Sequence, residues 1–95
     1  SDAYSDIFLR HMPNYIRNSF IFTNDGSNSI NVDIQHRETS SSTWRSRATF
    51  PQTIATGDTV FYTINEIHHF TRFRVISTTT GSSSTFELQW IGVNV

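Results

Sequence analysis

The sequence predicts an all-β domain, a single antiparallel β-sandwich or jelly roll of seven to eight strands with an N-terminal arm. Short runs that alternate apolar and polar residues recur along the 95-residue chain, and turn-forming residues separate them at regular intervals. Long connections of the kind that parallel strands need are absent, so we expect antiparallel sheets. A chain of this length fits one domain.

The first eighteen residues are less regular than the rest, so we assign 1–18 to an N-terminal arm or connector and 19–95 to the sandwich. The apolar run of the arm is Ile7, Phe8 and Leu9. Pro13 interrupts the segment, and proline cannot donate to a central ladder, which indicates an edge strand or an arm. Two interpretations stay open: a first strand packed on its own domain, and an arm that docks on a neighbouring subunit.

Six further segments predict strands with one apolar face. They are 15–23, 30–37, 44–50, 59–64, 70–76 and 86–90. The stretch from Asp58 to Ile76 predicts a central hairpin, because a β-branched and aromatic run precedes a short polar break and a second alternating strand. Asp25-Gly26 between two apolar runs predicts another hairpin.

The apolar parity changes at the end of the last predicted strand. Up to Trp90 the apolar residues share one parity. After Trp90 the apolar residues have the opposite parity, and they are Ile91, Val93 and Val95. Gly92 lies at the change, where a bulge or bend is expected. Either the C-terminal tip crosses to another sheet, or it carries an apolar strip for a partner.

Composition excludes several classes of function. The net charge of −1 gives no basic footprint for nucleic acid, and no apolar stretch approaches the ~20 residues of a membrane span. The absence of Cys excludes disulfides and thiolate metal sites. We find no catalytic signature and expect no enzyme activity, cofactor or metal. A surface rich in Ser, Thr and Asn is typical of extracellular proteins, so we expect an extracellular or cell- or spore-surface location.

Histidines and large aromatic residues are the first candidates for a binding site. His68 and His69 are adjacent and would point to opposite faces of a strand, so a surface turn is favoured over a metal site. His36 is interpreted as a strand-end residue. The large aromatic residues on the apolar parity of their strands are Trp44, Tyr62 and Trp90. Their parity predicts core positions, and the alternative is an exposed sugar-stacking platform.

Four arginines project at period two from two predicted strands: Arg45, Arg47, Arg72 and Arg74. If those strands are neighbours, the four side chains form a basic stripe. One interpretation is a solvated face paired with acidic side chains of the same domain. The other is a contact with an acidic patch on another subunit or with an anionic glycan.

Five segments carry a family resemblance through their order along the chain. They are FTNDGS at 22–27, SSSTW at 40–44, IATGDTV at 54–60, FTRFRV at 70–75 and TFELQW at 85–90. In this order the chain resembles a small β-sandwich domain of unknown function from surface and spore-associated proteins of spore-forming bacteria. Its layout is also similar to the pilins of endospore appendages. That similarity implies jelly rolls with an N-terminal connector that stack by strand addition.

The arm, the sandwich and the apolar strip together predict a non-enzymatic structural subunit that self-assembles into an extracellular filament or surface array. The expected partner is the chain itself, as a homopolymer. The expected subunit contacts are Ile7, Phe8, Leu9, Ile91, Val93 and Val95. The connectors of endospore pilins use cysteines, which this chain lacks, so non-covalent contacts are expected. The alternative is a glycan-binding or adhesion module of a surface or phage-fibre protein, which requires an exposed Trp44 or Trp90.

Overall fold

The computed structural model describes residues 3–79 and 85–94 and folds them into eight strands. The strands are β1 Ser5–His11, β2 Tyr15–Asn24, β3 Ile30–Arg37, β4 Arg45–Ser46, β5 Gln52–Ile54, β6 Thr59–Ile64, β7 Phe70–Ser77 and β8 Phe86–Asn94. They form two antiparallel sheets packed together, which confirms the predicted β-sandwich. Within the described ranges, no helix has the length and apolar character that a membrane crossing needs.

The two sheets differ in size and in their edges. Sheet A has the strand order β1-β7-β3-β4, and β5 also pairs with β3. Sheet B has the order β6-β2-β8. β1 is therefore an edge strand, as Pro13 predicts, and β6 and β8 are the two edges of sheet B.

The core lies between the inner faces of the two sheets. β7 shows the underlying alternation, since Phe73 is buried while Arg72 and Arg74 point to the outer face. The Phe73 ring lies 5.5 Å from that of Phe20 and 5.7 Å from that of Phe22, both on β2. The buried apolar cluster comprises Phe20, Phe22, Ile30, Val32, Ile34, Ile54, Ile64, Phe73 and Val75. Removal of these side chains from water is the main favourable contribution to folding.

The chain changes sheet at five of the seven connections between the described strands. Only β3, β4 and β5 are consecutive strands within one sheet. The hairpin predicted over Asp58 to Ile76 is therefore wrong, because β6 pairs with β2 while β7 pairs with β1 and β3. The Asp25-Gly26 turn likewise leads from β2 in sheet B to β3 in sheet A. A turn signal marks a reversal of the chain, and a reversal between packed sheets buries one face of each strand as well as a hairpin does.

Asn24 holds the connections where β2 ends. Its side chain is fully buried, and its Nδ2 donates to the carbonyls of Asn28 and Ile54 at 2.9 and 3.0 Å. Its Oδ1 accepts from the backbone N–H of Gly26 at 3.0 Å. Its own carbonyl accepts from the N–H of Gly57 at 2.8 Å. One residue thus links the turn after β2 to β5 and to the turn before β6.

The strand predicted over 44–50 is much shorter than expected. β4 contains only Arg45–Ser46. The chain turns directly afterwards, because the N–H of Phe50 donates to the carbonyl of Arg47 at 3.1 Å and Thr49 has a positive φ of 71°. The sequence continues to alternate apolar and polar residues through this turn, and alternation in sequence alone does not distinguish a turn from a strand.

The N-terminal segment forms part of this chain's own sandwich. The expected boundary between residues 18 and 19 falls inside β2, which runs unbroken across it. β1 pairs with β7, with Phe8 opposite Phe73 and Leu9 opposite Arg72. This is the arrangement of the first interpretation, a strand packed on its own domain. Docking of the arm on a neighbouring subunit stays a prediction.

Candidate functional site

β1 is the first candidate contact surface. The Phe8 ring packs into the core, 5.0 Å from the ring of Phe20 and 5.3 Å from that of Trp90. Ile7 packs against the same core, whereas Leu9 is exposed over 55% of its surface. Of the three predicted contact residues in this strand, two stabilise the chain's own sandwich and one faces solvent.

The outer face of sheet B is the second candidate surface. Phe61 of β6 lies opposite Ile21 of β2 in the strand register and is 66% exposed. Ile91 of β8 is 68% exposed and lines a hollow together with Ile21, and Val93 of the same strand is also exposed. We call these four residues the apolar face. Val95, the last predicted contact residue, lies outside the described residues.

β8 keeps its alternation through Gly92, so the bulge or bend predicted at this glycine is wrong. Ile91 points outward, and Gly92 lies on the inner face beneath two aromatic rings. A Cβ at position 92 would lie 2.5 Å from Cζ2 of Trp90 and 2.6 Å from Cδ1 of Tyr15. The irregularity is in β2, between Tyr15 and Arg17. The strand stays in sheet B as far as Asn94, and Ile91 and Val93 of the predicted apolar strip are exposed.

The predicted basic stripe divides into two separate pairs. β3 lies between β7, which carries Arg72 and Arg74, and β4, near which the other two arginines lie. Nε of Arg74 is 3.3 Å from Oδ1 of Asp6 on β1, and Nε of Arg72 donates to Oε1 of Gln35 at 2.7 Å. The pair on β7 therefore belongs to a network on the outer face of sheet A. Only the pair near β4 lines an open groove.

Trp44 lies on the outer face of sheet A, which corrects its predicted position in the core. The guanidinium carbons of Arg37 and Arg72 each lie 4.4 Å from its ring centroid, within the range of cation–π attraction. The parity argument failed because Trp44 precedes β4 and does not belong to a strand. Trp90 and Tyr62 pack against the core, as predicted.

A polar groove of about 560 Å³ opens at the C-terminal end of β3. Its lining comes from the end of β3, the following loop, the region of β4 and the loop between β6 and β7. Its arginines are Arg37, Arg45 and Arg47, and its acidic residues are Glu38 and Glu66. The groove thus combines charges of both signs from segments that are remote in sequence.

His36 lies at the strand end that borders the groove, as its position in the sequence indicated. Its Nδ1 is 2.8 Å from Oγ1 of Thr71, and its Nε2 is 3.1 Å from Nη1 of Arg47. Because a guanidinium only donates, Nε2 accepts and Nδ1 carries the proton. Burial, followed by the charges of His68 and Arg47, lowers the pKa of His36 to about 4. His36 is therefore a neutral hydrogen-bonding residue at neutral pH.

His68 stacks on His36 and joins two carboxylates. The two imidazole centroids are 3.7 Å apart, and the planes are inclined by 14°. Nδ1 of His68 lies 3.0 Å from Glu38 Oε2, and Nε2 lies 2.8 Å from Glu66 Oε1. Carboxylates only accept, so both bonds form when both ring nitrogens carry protons. Hydrogen bonds from His68 and then from Arg47 lower the pKa of Glu66 to about 2, and the bond from His68 is the main cause of the lowered pKa of Glu38.

We call these five residues the His–Glu network: His36, Glu38, Arg47, Glu66 and His68. The network ties the loop after β3 to the loop before β7 and to the segment after β4. In the part of the chain that the structure describes, no group of three or more His, Asp or Glu side chains is placed to hold a metal ion. The arrangement supports hydrogen bonding and charge pairing, and it fixes one wall of the polar groove.

Sequence reasoning treated His36 and the His68-His69 pair separately and did not connect them. The available signal was the spacing of Glu66 and His68, since side chains at i and i+2 point to the same side of an extended segment. The partners from the end of β3 lie about thirty residues earlier in the chain. Nothing in the local pattern indicates that these residues lie close together in the folded chain.

Comparison with known proteins does not assign a family. No protein-family model matches the sequence, and no curated protein matches it at a significant level. The resemblance to spore-associated sandwich domains and appendage pilins therefore stays a prediction that rests on the order of the motifs.

Proposed function

We propose that this chain is a non-enzymatic structural subunit that self-assembles into an extracellular filament or surface array. In the assembly, β1 of one copy pairs with β7 of the next. The observation that carries the proposal is the position of β1. It is an edge strand, and a connection of three residues, 12–14, leads from it to β2.

Exchange of β1 between copies keeps the contacts that β1 makes within one chain. Its ladder bonds go to β7, and Phe8 fills a space against the inner faces of β2 and β8. If β1 leaves, the edge of β7 and this space are open, and an unpaired edge is a template for another strand. β1 of a second copy fits there because it is the same sequence. Pro13 favours an extended backbone at Met12, which an outstretched strand requires.

The apolar face supports a second contact between copies. Phe61 and Ile91 are more than half exposed on the outer side of a sheet of three strands. A continuous apolar patch that stays in water in the single chain is typical of an interaction site. Burial against another copy removes this surface from water and adds to the pairing of β1.

The geometry of exchange favours open growth. When the donating and accepting surfaces are different parts of the subunit, the contact is head-to-tail, and it forms a fibre unless the rotation closes a ring. The chain has no cysteine for an intersubunit disulfide. The subunits are therefore held by strand pairing and apolar burial.

Electron microscopy and light scattering of the protein over a range of concentrations test self-assembly itself. We expect regular filaments or sheets that grow with concentration. A protein that stays monomeric at every concentration contradicts the proposal. Deletion of the arm is a poor test, because it also removes Phe8 and the buried Met12 from the core.

A double variant, Leu9→Cys with Arg72→Cys, tests the exchange of β1. The two positions are register partners on the outer face, at the roughly 4.5–5.5 Å Cα separation that a disulfide spans. The chain has no other cysteine, so every disulfide that forms joins two of the engineered positions. After assembly and oxidation, we expect a ladder of covalent multimers on a non-reducing gel.

The single variants Leu9→Cys and Arg72→Cys are the matched controls and are expected to give dimers at most. Filaments of the double variant that dissolve to covalently closed monomers would show that β1 stays in its own chain. That result would overturn the exchange mechanism and leave self-assembly through the apolar face.

A further inference from the structure

The polar groove contains two positive charges that no acidic side chain of residues 3–79 and 85–94 neutralises. Arg47 is paired with Glu66 at 2.9 Å. Among the described residues, no acidic side chain forms an ion pair with Arg37 or with Arg45. Glu38, the other acid in the groove, is bonded to His68. The groove therefore has an excess of guanidinium over carboxylate.

Arg37 is held in place by aromatic rings. Its guanidinium carbon lies 4.4 Å from the ring centroid of Trp44 and 5.5 Å from that of Phe70. Its Nε is buried and has no hydrogen-bond acceptor among the residues that the structure describes. A planar guanidinium that is already fixed by stacking loses little conformational entropy when an anion binds in the groove beside it.

We propose that the polar groove binds an acidic sugar, a sugar ring that carries a carboxylate or sulfate group. The anionic group pairs with the exposed Arg45, because a guanidinium binds such an oxyanion through two parallel N–H donors, and Arg37 adds a second positive charge to the lining of the groove. The sugar hydroxyls bond to the hydroxyls of Ser42 and Thr43 on the wall of the groove. The volume of about 560 Å³ lies within the usual range for small-ligand sites.

The composition of the groove distinguishes this ligand from nucleic acid. A nucleic-acid site needs a long basic surface, whereas the chain has a net charge of −1 and Glu38 and Glu66 border the two free arginines. Carboxylates next to arginines are suited to a ligand that has both an anionic group and neutral hydroxyl donors. The proposal is independent of self-assembly, since its residues belong neither to β1 nor to the apolar face.

Titration of the isotope-labelled protein, followed by the NMR shifts of backbone amides, tests the site. The probes are oligogalacturonate for the carboxylate, dextran sulfate for the sulfate, and neutral dextran. We expect at least one acidic probe to shift the amides of residues 42–47 and neutral dextran to leave them unchanged. Which acidic probe binds identifies the anionic group.

Arg45→Gln is the test variant, because Arg45 is exposed and its replacement leaves the core intact. We expect its affinity for the acidic probe to fall about tenfold, as for loss of one charged hydrogen-bonding partner. Arg17→Gln is the matched control, since Arg17 is an exposed arginine of β2 in the other sheet. Equal losses in the two variants, equal binding of neutral dextran, or no shift with either acidic probe would overturn the proposal.

Discussion

Asn24 is a polar side chain without exposed surface, and each polar atom of its amide has a partner. A buried amide is costly when it is unpaired and specific when it is fully paired. Its bond to the carbonyl of Ile54 reaches thirty residues along the chain and connects β2 to β5. The side chain therefore helps to determine which loops meet where β2 ends.

Replacement of Asn24 by alanine is expected to lower the free energy of unfolding by about 2–4 kcal/mol, because it removes three hydrogen bonds and leaves buried carbonyls without donors. Urea denaturation of the variant and the parent protein measures the change. Asn65→Ala, at an exposed position after β6, is the control and should stay within about 0.5 kcal/mol of the parent. Similar losses in both variants would show that the amide of Asn24 has no special role.

At the scale of elements, strands were predictable and their partners were not. Alternation located β3, β6 and β7 to within a residue at most of their boundaries, because each strand buries one face and the side-chain period is two. Pairing depends on which sheet a strand joins, and the same alternation serves either sheet. Trp44 shows a second limit, since a large aromatic residue on the expected parity lies on an outer face between arginines.

The candidate sites were predictable to different degrees. Ile91 and Val93 were identified from their parity, and the structure places both on an exposed face. The polar groove was not identified, because its residues come from four segments that meet only in the folded sandwich. Arg45 and Arg47 were noted for their spacing, but their neighbours on the groove wall could not be named without the topology.

The apolar face gives a prediction at the same scale. Replacement of both Phe61 and Ile91 by serine is expected to change the free energy of unfolding by no more than about 0.5 kcal/mol each, since both side chains are mostly exposed. Assembly should shift to higher protein concentration, as measured by light scattering. Thr63→Ser, on the outer face of the same strand, is the control. Unchanged assembly of the double variant would exclude the apolar face from the subunit contact.

At the scale of the whole molecule, stability should depend on acidity through the His–Glu network. The pKa of His36 is lowered from 6.5 to about 4, so the unfolded chain binds more protons between these values. The contribution of neutral His36 to the free energy of unfolding is therefore fully present above pH 6.5 and is lost as the pH falls to 4. Because His36 is partly exposed, we expect a loss of about 1–2 kcal/mol over this range.

A second decrease follows from Glu66. Its pKa is lowered from 4.5 to about 2, so its contribution is present above pH 4.5 and is lost as the pH falls to 2. Urea denaturation at a series of pH values separates the two steps. His36→Gln should flatten mainly the upper step and Glu66→Gln mainly the lower step, with a smaller effect of Glu66→Gln on the upper step because the charge of Glu66 raises the pKa of His36. A profile of His36→Gln that matches the parent between pH 6.5 and 4 would contradict the assignment.

The repeated change of sheet has a consequence for the protein during its synthesis. Sheet B joins β2, which begins at Tyr15, to β8, which ends at Asn94, so it closes only when nearly the whole domain is available. No early segment of a nascent chain contains two long strands that pair with each other, and the first such pair, β2 with β6, is separated by three other strands. The ribosome therefore releases most of the domain before its sheets can form. Pairings this distant in sequence also make slow folding the expectation.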